Sequence, residues 1–85
     1  KSNRETGDGR SDLMLYQQDR FINAVIIEFK VCRDNEEVDA AAERALRQIN
    51  DMDYAAEARE QGYKNILKYG VAFKRKVCCA VVEKE

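Results

Sequence analysis

The stretch Val25-Ile26-Ile27-Glu28-Phe29-Lys30-Val31 decides the fold, because it is an apolar run typical of a buried β-strand that nevertheless carries two charges. Successive side chains of a strand point to opposite faces, so Glu28 and Lys30 share one face and the apolar residues around them share the other. Burying a carboxylate and an ammonium is costly unless they are paired or bind a ligand. The pattern therefore indicates a functional site. The alternative is an ion pair at the end of a half-exposed strand.

A second strand is predicted just before this one, at residues 12–17, followed by a turn at residues 18–22 and the central strand at residues 23–31. The two strands are too close in sequence for a crossover, so they should form an antiparallel hairpin. If the register is centred in the middle of the turn, Asp12 lies opposite Glu28. Directly opposed carboxylates destabilise a sheet unless a cation lies between them.

Helix signals follow the central strand. Asp34, with an acidic residue three positions later, predicts a capping-box-like helix start. Apolar residues at helical spacing form one stripe on this helix: Val38, Ala42, Ala45, Leu46 and Ile49. The polar residues 50–53 predict a break, after which Asp53 would cap a second short helix at residues 54–61, ended by Gly62.

The last part of the chain returns to β-structure, with strands at residues 65–73 and 77–83 joined by a tight basic turn at residues 74–76. The connection from the central strand through the helices is a β-α-β crossover, so the strand at residues 65–73 should run parallel to it. The expected fold is α/β, a mixed sheet of order ββαββ with helix on one face. The other face lacks a cover, which predicts either a missing element or a homo-oligomer.

Composition sets limits on size and partners. A chain of 85 residues makes one small domain. The net charge of −1 does not favour nucleic acid by itself, but the distribution is uneven. Residues 1–61 hold nine Lys and Arg against 14 Asp and Glu, and residues 62–85 hold six against two. The basic end either faces phosphates or is a solvated edge.

The cysteines argue against a zinc site. None of the three forms a C-x-x-C pair, and the chain contains no His to complete a metal site. Their odd number fits a reducing, cytoplasmic setting. No apolar stretch is long enough for a membrane span, and no secretion signal is present. The sequence opens without Met, which predicts that residues 1–85 are a single domain cut from a longer protein.

The order Asp12, 15 intervening residues, Glu28-x-Lys30 on a hairpin resembles the PD-(D/E)XK nuclease superfamily, whose fold is restriction-endonuclease-like. Further segments resemble one branch of it, the nuclease-like domain at the C-terminus of bacterial AAA-ATPase-like proteins. They are residues 2–12, Ala45-Leu46-Arg47-Gln48-Ile49, Tyr54-Ala55, Gly62-Tyr63-Lys64-Asn65-Ile66 and Tyr69-Gly70-Val71-Ala72-Phe73. Family members usually begin with a helix and a first strand. The resemblance therefore implies that the N-terminal core helix and most of the first strand are missing here.

The resemblance implies a metal-dependent phosphodiesterase site. Asp12 and Glu28 would hold Mg²⁺ or Mn²⁺, with the Phe29 carbonyl as a further candidate ligand, and Lys30 would assist the attacking water or the phosphate. Gln48 corresponds to a polar residue that related nucleases aim at the site; alternatively, it is an ordinary exposed helix residue.

Further candidates lie outside this group. Arg10 would contact a phosphate or else cap loop carbonyls, and Glu5 is a weaker candidate as an extra ligand. Tyr54 and Tyr69 are expected in the core rather than on a ligand.

Two functions follow from these expectations. The first is a Mg²⁺-dependent nuclease domain acting on nucleic acid, DNA in particular. The second is a catalytically silent interaction module of the same fold, appended to an ATPase. A third interpretation, independent of the resemblance, is a small α/β protein in which Glu28 and Lys30 are merely an ion pair.

Overall fold

The structure is a computed structural model that describes residues 12–16 and 23–85. Its elements are β1 (Leu13–Tyr16), β2 (Asn23–Val31), α1 (Val38–Asp51), α2 (Ala56–Glu60), β3 (Asn65–Lys74) and β4 (Val77–Lys84). The strands form one sheet in the order β1-β2-β3-β4. The predicted ββαββ order and mixed sheet are therefore confirmed, while the predicted turn at residues 18–22 lies outside the described residues.

The sheet register places the two charged residues of β2 as the sequence predicts. β1 runs antiparallel to β2 with Leu13 opposite Ile27, so the next position brings Asp12 opposite Glu28. β2 and β3 are parallel, with Glu28 opposite Gly70. β3 and β4 form an antiparallel hairpin. The central pair of strands is thus parallel and lies between two antiparallel neighbours.

Both helices follow β2 and cover one face of the sheet. The even-numbered residues of β2 and β3 face α1. The predicted apolar stripe of α1 is buried at Ala42, Ala45 and Ile49 and half-buried at Val38 and Leu46. The buried residues of the larger cluster are Ala24, Ile26, Ile49, Tyr54, Ala55, Ala58 and Ile66. A smaller cluster comprises Ala41, Ala42 and Ala72. The smaller cluster consists of alanine alone, which lets helix and sheet approach closely there.

The closest approach of helix and sheet is at Gly70 in β3. A Cβ atom on this residue would lie 2.3 Å from the Ala42 carbonyl oxygen and 2.6 Å from the Leu46 nitrogen, both backbone atoms of α1. Only a residue without a side chain fits beneath the helix at this point. Because Gly70 is also the neighbour of Glu28 across the sheet, this contact fixes the height of α1 above the charged residues.

The predicted start of the first helix was wrong. The N-cap residue is Glu37 rather than Asp34, and no side chain caps the helix. The chain first makes a turn in which the Glu36 amide donates to the Arg33 carbonyl at 3.0 Å. The Glu36 carboxylate accepts the Arg33 amide at 3.0 Å and a two-pronged contact from Arg44 at 2.9 and 3.0 Å. An ion pair between Glu36 and Arg44, and no capping box, therefore lies at the start of α1.

The predicted break after the first helix is confirmed, but the predicted cap of the second is wrong. The break separates α1 from α2, whose N-cap is Ala55. Asp53 instead adopts a positive φ of 51°, and its carboxylate pairs with Arg59. Gly62 follows the C-cap residue with a φ of 88°, as expected for a helix-terminating glycine.

The face of the sheet opposite the helices is apolar. In the part of the chain that the structure describes, its most exposed large side chains are Leu13, Leu15, Phe29, Val31, Phe73 and Val82. Phe29 and Phe73 are each 41% exposed and stack with ring centroids 6.1 Å apart. No helix of the described residues covers this face, which is called the open face below.

The Glu36–Arg44 pair predicts a specific dependence of stability on pH. Hydrogen bonds from the Arg44 guanidinium and the Arg33 amide lower the pKa of Glu36 from 4.5 to about 2. A lowered folded-state pKa stabilises the protein above the unfolded-state value, and this contribution is lost as the pH falls from about 4.5 towards about 2.

Glu36→Gln should therefore lower the free energy of unfolding at pH 7, and the deficit should shrink as the pH falls towards 2. Urea unfolding at several pH values measures this difference. Glu43→Gln, at an exposed position of α1, is the control and should change stability little. A deficit for Glu36→Gln that stays constant with pH would contradict the role given to this ion pair.

Candidate active site

Glu28 is the centre of the candidate site. It lies on the helix-facing side of β2 and is only 4% exposed. Its Oε1 accepts the backbone N–H of Asp12 at 3.2 Å, and its Oε2 accepts the Gln48 amide at 2.9 Å. The Lys30 ammonium is 3.7 Å from the same Oε2. The two residues of the Glu-x-Lys pattern thus lie side by side, on the face that strand alternation predicts.

Asp12 reaches the same point from the neighbouring strand. Its Oδ2 accepts the backbone N–H of Phe29 at 2.9 Å, while its own N–H donates to Glu28. Asp12 is exposed, whereas Glu28 is buried. The pair therefore presents one carboxylate to solvent and one to the interior. This arrangement follows from the register of the β1–β2 hairpin, since a slip by one residue would move Asp12 to the open face.

The surroundings of Glu28 raise its pKa above the ordinary value of 4.5. Burial is the main cause, and the negative charge of Asp12 raises the pKa further. The Asp12 N–H and the Lys30 ammonium lower the pKa of Glu28, but by less than burial and Asp12 raise it. Two carboxylates that repel each other beside a buried position form a site that a cation would stabilise.

Gln48 joins the site from α1. Its Nε2 donates to Glu28 Oε2 and also lies 2.9 Å from the Tyr54 hydroxyl. The two N–H groups of one amide can serve both oxygen atoms, which holds the side chain in a single orientation. Of the two interpretations of Gln48, the structure favours a side chain aimed at Glu28.

The remaining candidates from the sequence are two tyrosines and two residues upstream of Asp12. Tyr54 is 7% exposed and belongs to the core, as the sequence predicts, but its hydrogen bond to Gln48 was not foreseen. Tyr69 is half-buried on the open face, away from the carboxylates. Arg10 and Glu5 lie outside the described residues, so their predicted roles stay predictions.

The donor chemistry of the site suits a hard divalent cation. Asp12 and Glu28 supply carboxylate oxygens, which Mg²⁺ prefers, and Mg²⁺ is commonly held by one or two carboxylates with water filling its other positions. Within residues 12–16 and 23–85, no group of three or more His, Cys, Asp or Glu side chains could hold a metal. The described residues therefore offer a two-carboxylate site and leave the other positions to water or phosphate.

A second polar cluster, which sequence reasoning missed, lies at the other end of the sheet. Lys68 is 7% exposed, and its ammonium contacts Asn50 at 2.8 Å and Glu85 at 2.9 Å. Arg59 pairs with Glu85 as well. Burial would raise the pKa of Glu85, but hydrogen bonds from Arg59 and Lys68 outweigh it and lower the pKa. Strand alternation could have revealed this cluster, because it places Lys68 on the same face of β3 as the apolar residues Ile66 and Ala72.

The described part of the chain has neither the helix length nor the apolar character that a membrane span requires. All three cysteines are free.

Comparison with known proteins supplies the family. No curated protein and no solved structure gives a significant match to the chain. A family model of the PD-(D/E)XK nuclease superfamily matches residues 1–83. That match spans both strands of the Asp12–Glu28 hairpin and the helix that carries Gln48. The chain belongs to the PD-(D/E)XK nuclease superfamily.

Proposed function

We propose that this chain hydrolyses phosphodiester bonds of nucleic acid, with DNA as the first candidate, using Mg²⁺ or Mn²⁺ held by Asp12 and Glu28. The observation that carries the proposal is the meeting of these two carboxylates and the Lys30 ammonium at one point of the sheet, in a member of a nuclease superfamily. Fold alone would not support an activity, so the proposal depends on the site residues.

The carboxylates have distinct tasks in this proposal. Glu28 is fixed by three neighbours and offers a rigid oxygen donor, while the exposed Asp12 offers one that substrate and water can reach. A divalent cation, when bound there, lowers the pKa of a water molecule and neutralises negative charge on the phosphate. Because the cation requires ionised ligands, binding must also overcome the raised pKa of Glu28.

Lys30 supplies a positive charge that belongs to the protein. Its side chain is 23% exposed and therefore remains accessible to a substrate, although it lies 3.7 Å from Glu28 Oε2. A preorganised cation stabilises charge that develops on a phosphate during cleavage. Lys30 would also contact the nucleic acid, as Arg10 would from upstream. Gln48 acts as a positioning residue, since it touches Glu28 rather than the reacting atoms.

The test is cleavage of supercoiled plasmid and of labelled single- and double-stranded oligonucleotides, with Mg²⁺, with Mn²⁺ and with EDTA. We expect cleavage with either metal and none in EDTA. Glu28→Gln should abolish it while Glu43→Gln, at an exposed position of α1, should not. Urea unfolding of each variant shows whether the fold is intact. Cleavage that persists in EDTA or in Glu28→Gln would overturn the proposal.

The second candidate is a catalytically silent module of the same fold, serving an attached ATPase in a cytoplasmic setting that the free thiols fit. The observation that favours it is the presence of only two carboxylates at the site within the described residues. Metal binding without any cleavage of nucleic acid would support this candidate over the nuclease.

A further inference from the structure

A recess with basic and aromatic lining lies at the end of the sheet where β2 and β3 terminate. It has a volume of about 190 Å³ and is lined by Val31, Cys32, Arg33, Asp34, Phe73, Lys74 and Arg75. Three of these side chains are cationic and one is anionic. The volume is below the range of about 300–1,000 Å³ that is typical of buried ligand pockets. The recess therefore suits part of an extended ligand better than an enclosed cofactor.

The aromatic part of this region belongs to the open face. Phe73 lines the recess and stacks on Phe29, and both rings are 41% exposed. Exposed aromatic rings beside a positively charged groove are the combination by which proteins bind single-stranded nucleic acid, because bases stack on the rings and phosphates contact the cations.

The backbone conformation of Arg75 indicates that its cationic side chain has a function in the recess. Arg75 lies in the two-residue turn between β3 and β4 and has a φ of 56°. A residue with a Cβ is strained in this left-handed conformation, and Gly or Asn would be the favoured residue in such a turn. An arginine therefore occupies a position that glycine would adopt more easily, and its side chain lines the recess.

The position of the recess connects it to the proposed active site. Cys32, in the lining, lies two residues beyond Lys30, which is about 7 Å at the rise of a β-strand. At about 3.4 Å per phosphate in a stacked strand, that distance spans two nucleotides. The lining includes Phe73 from the open face and Lys74 from the helix-facing side, so the recess joins the two faces at the sheet end.

We infer that this recess and the Phe29–Phe73 stack bind single-stranded nucleic acid and lead it to the proposed cleavage site; the inference rests on the proposed function. Charge favours single-stranded nucleic acid over a second copy of the chain as the occupant of the open face. A two-fold symmetric contact would bring the same patch of both copies together. The recess contributes Arg33, Lys74 and Arg75 but only one anion to such a contact, whereas a phosphate backbone offers these cations a negative charge at every nucleotide.

The test is fluorescence anisotropy of the full chain with a fluorescein-labelled oligothymidylate of about 16 nucleotides, in EDTA so that no metal-dependent cleavage occurs. Arg75→Gly removes the cation but suits the positive φ, so the unfolding midpoint should hold or rise while affinity falls. The slope of log affinity against log salt should become shallower by about 0.7. Phe73→Leu, which keeps an apolar side chain but cannot stack, should weaken binding about tenfold.

Lys64→Ala is the matched control, because it removes an exposed positive charge just before β3, at the opposite end of that strand. It should bind as the wild type does. Wild-type affinity in Arg75→Gly and Phe73→Leu would overturn the inference, as would equal affinity for a duplex of the same length. A stable dimer by light scattering that Phe73→Asp dissociates would overturn it in favour of a second copy.

Binding and cleavage test the recess and the proposed active site separately. Binding in EDTA depends on the recess and needs no metal, whereas cleavage depends on Asp12 and Glu28. Loss of single-strand binding beside intact metal-dependent cleavage would remove the recess assignment alone. Intact binding without cleavage would remove the nuclease activity and leave the binding surface.

Discussion

Lys30→Ala should slow metal-dependent cleavage by about 10²- to 10³-fold, the usual cost of removing one preorganised group that stabilises developing charge. Affinity for Mn²⁺ at high pH should change little, because Lys30 is not a proposed metal ligand. The Lys30 charge lowers the pKa of Glu28, so its removal should raise that pKa further. The loss of rate should therefore be greatest at the acidic end of the pH profile.

Rates measured with a labelled oligonucleotide and saturating Mn²⁺ across a pH series check this expectation. Lys64→Ala serves as the matched control, since it removes a lysine charge distant from the site in sequence and just before β3. Wild-type rates for Lys30→Ala would show that the ammonium beside Glu28 is a structural ion pair only.

Gly70→Ala should destabilise the protein by about 2 to 3 kcal/mol, the upper part of the range for overpacking a core. The new Cβ would lie within 2.6 Å of two backbone atoms of α1, which cannot rotate away as a side chain would. Relief requires the helix to move. Because this chain is small, such a loss is a large share of its total stability.

The same movement should disturb the site. Gln48 lies two residues beyond Leu46, one of the two contact points, and its amide reaches Glu28 from the helix. Urea unfolding gives the stability change, and the cleavage assay gives the effect on the site. Ala80→Val, which enlarges an exposed β4 residue paired with Val71 on the open face, is the control and should be nearly neutral. Unchanged stability in Gly70→Ala would show that α1 shifts without cost.

The strand part of the site was predictable because strand geometry is simple. Alternation places Glu28 and Lys30 on one face, and a register centred in the predicted turn brings Asp12 opposite Glu28. Both features appear in the structure. The same reasoning could have exposed Lys68, which alternates with Gly70 on the helix-facing side.

The helix ends were harder to predict, because ion pairs between side chains eight and six residues apart take the place of the expected caps. Asp34 has the spacing of a cap, but Glu36 pairs with Arg44, eight residues later, and α1 begins after Glu37. Asp53 pairs with Arg59 instead of capping α2. The Gln48–Tyr54 hydrogen bond likewise depends on the break between the helices, which local spacing does not fix.

Calorimetric titration with Mn²⁺ tests the central claim, that Asp12 and Glu28 share one divalent cation, most directly. Wild type should bind Mn²⁺ at neutral pH. Affinity should weaken as the pH is lowered through the raised pKa of Glu28, because the protonated carboxyl cannot bind metal. Asp12→Asn should weaken binding at least tenfold, while Glu43→Gln, at an exposed position of α1, should bind as the wild type does. Equal Mn²⁺ affinity in wild type and Asp12→Asn, or no Mn²⁺ binding to the wild type, would contradict the account.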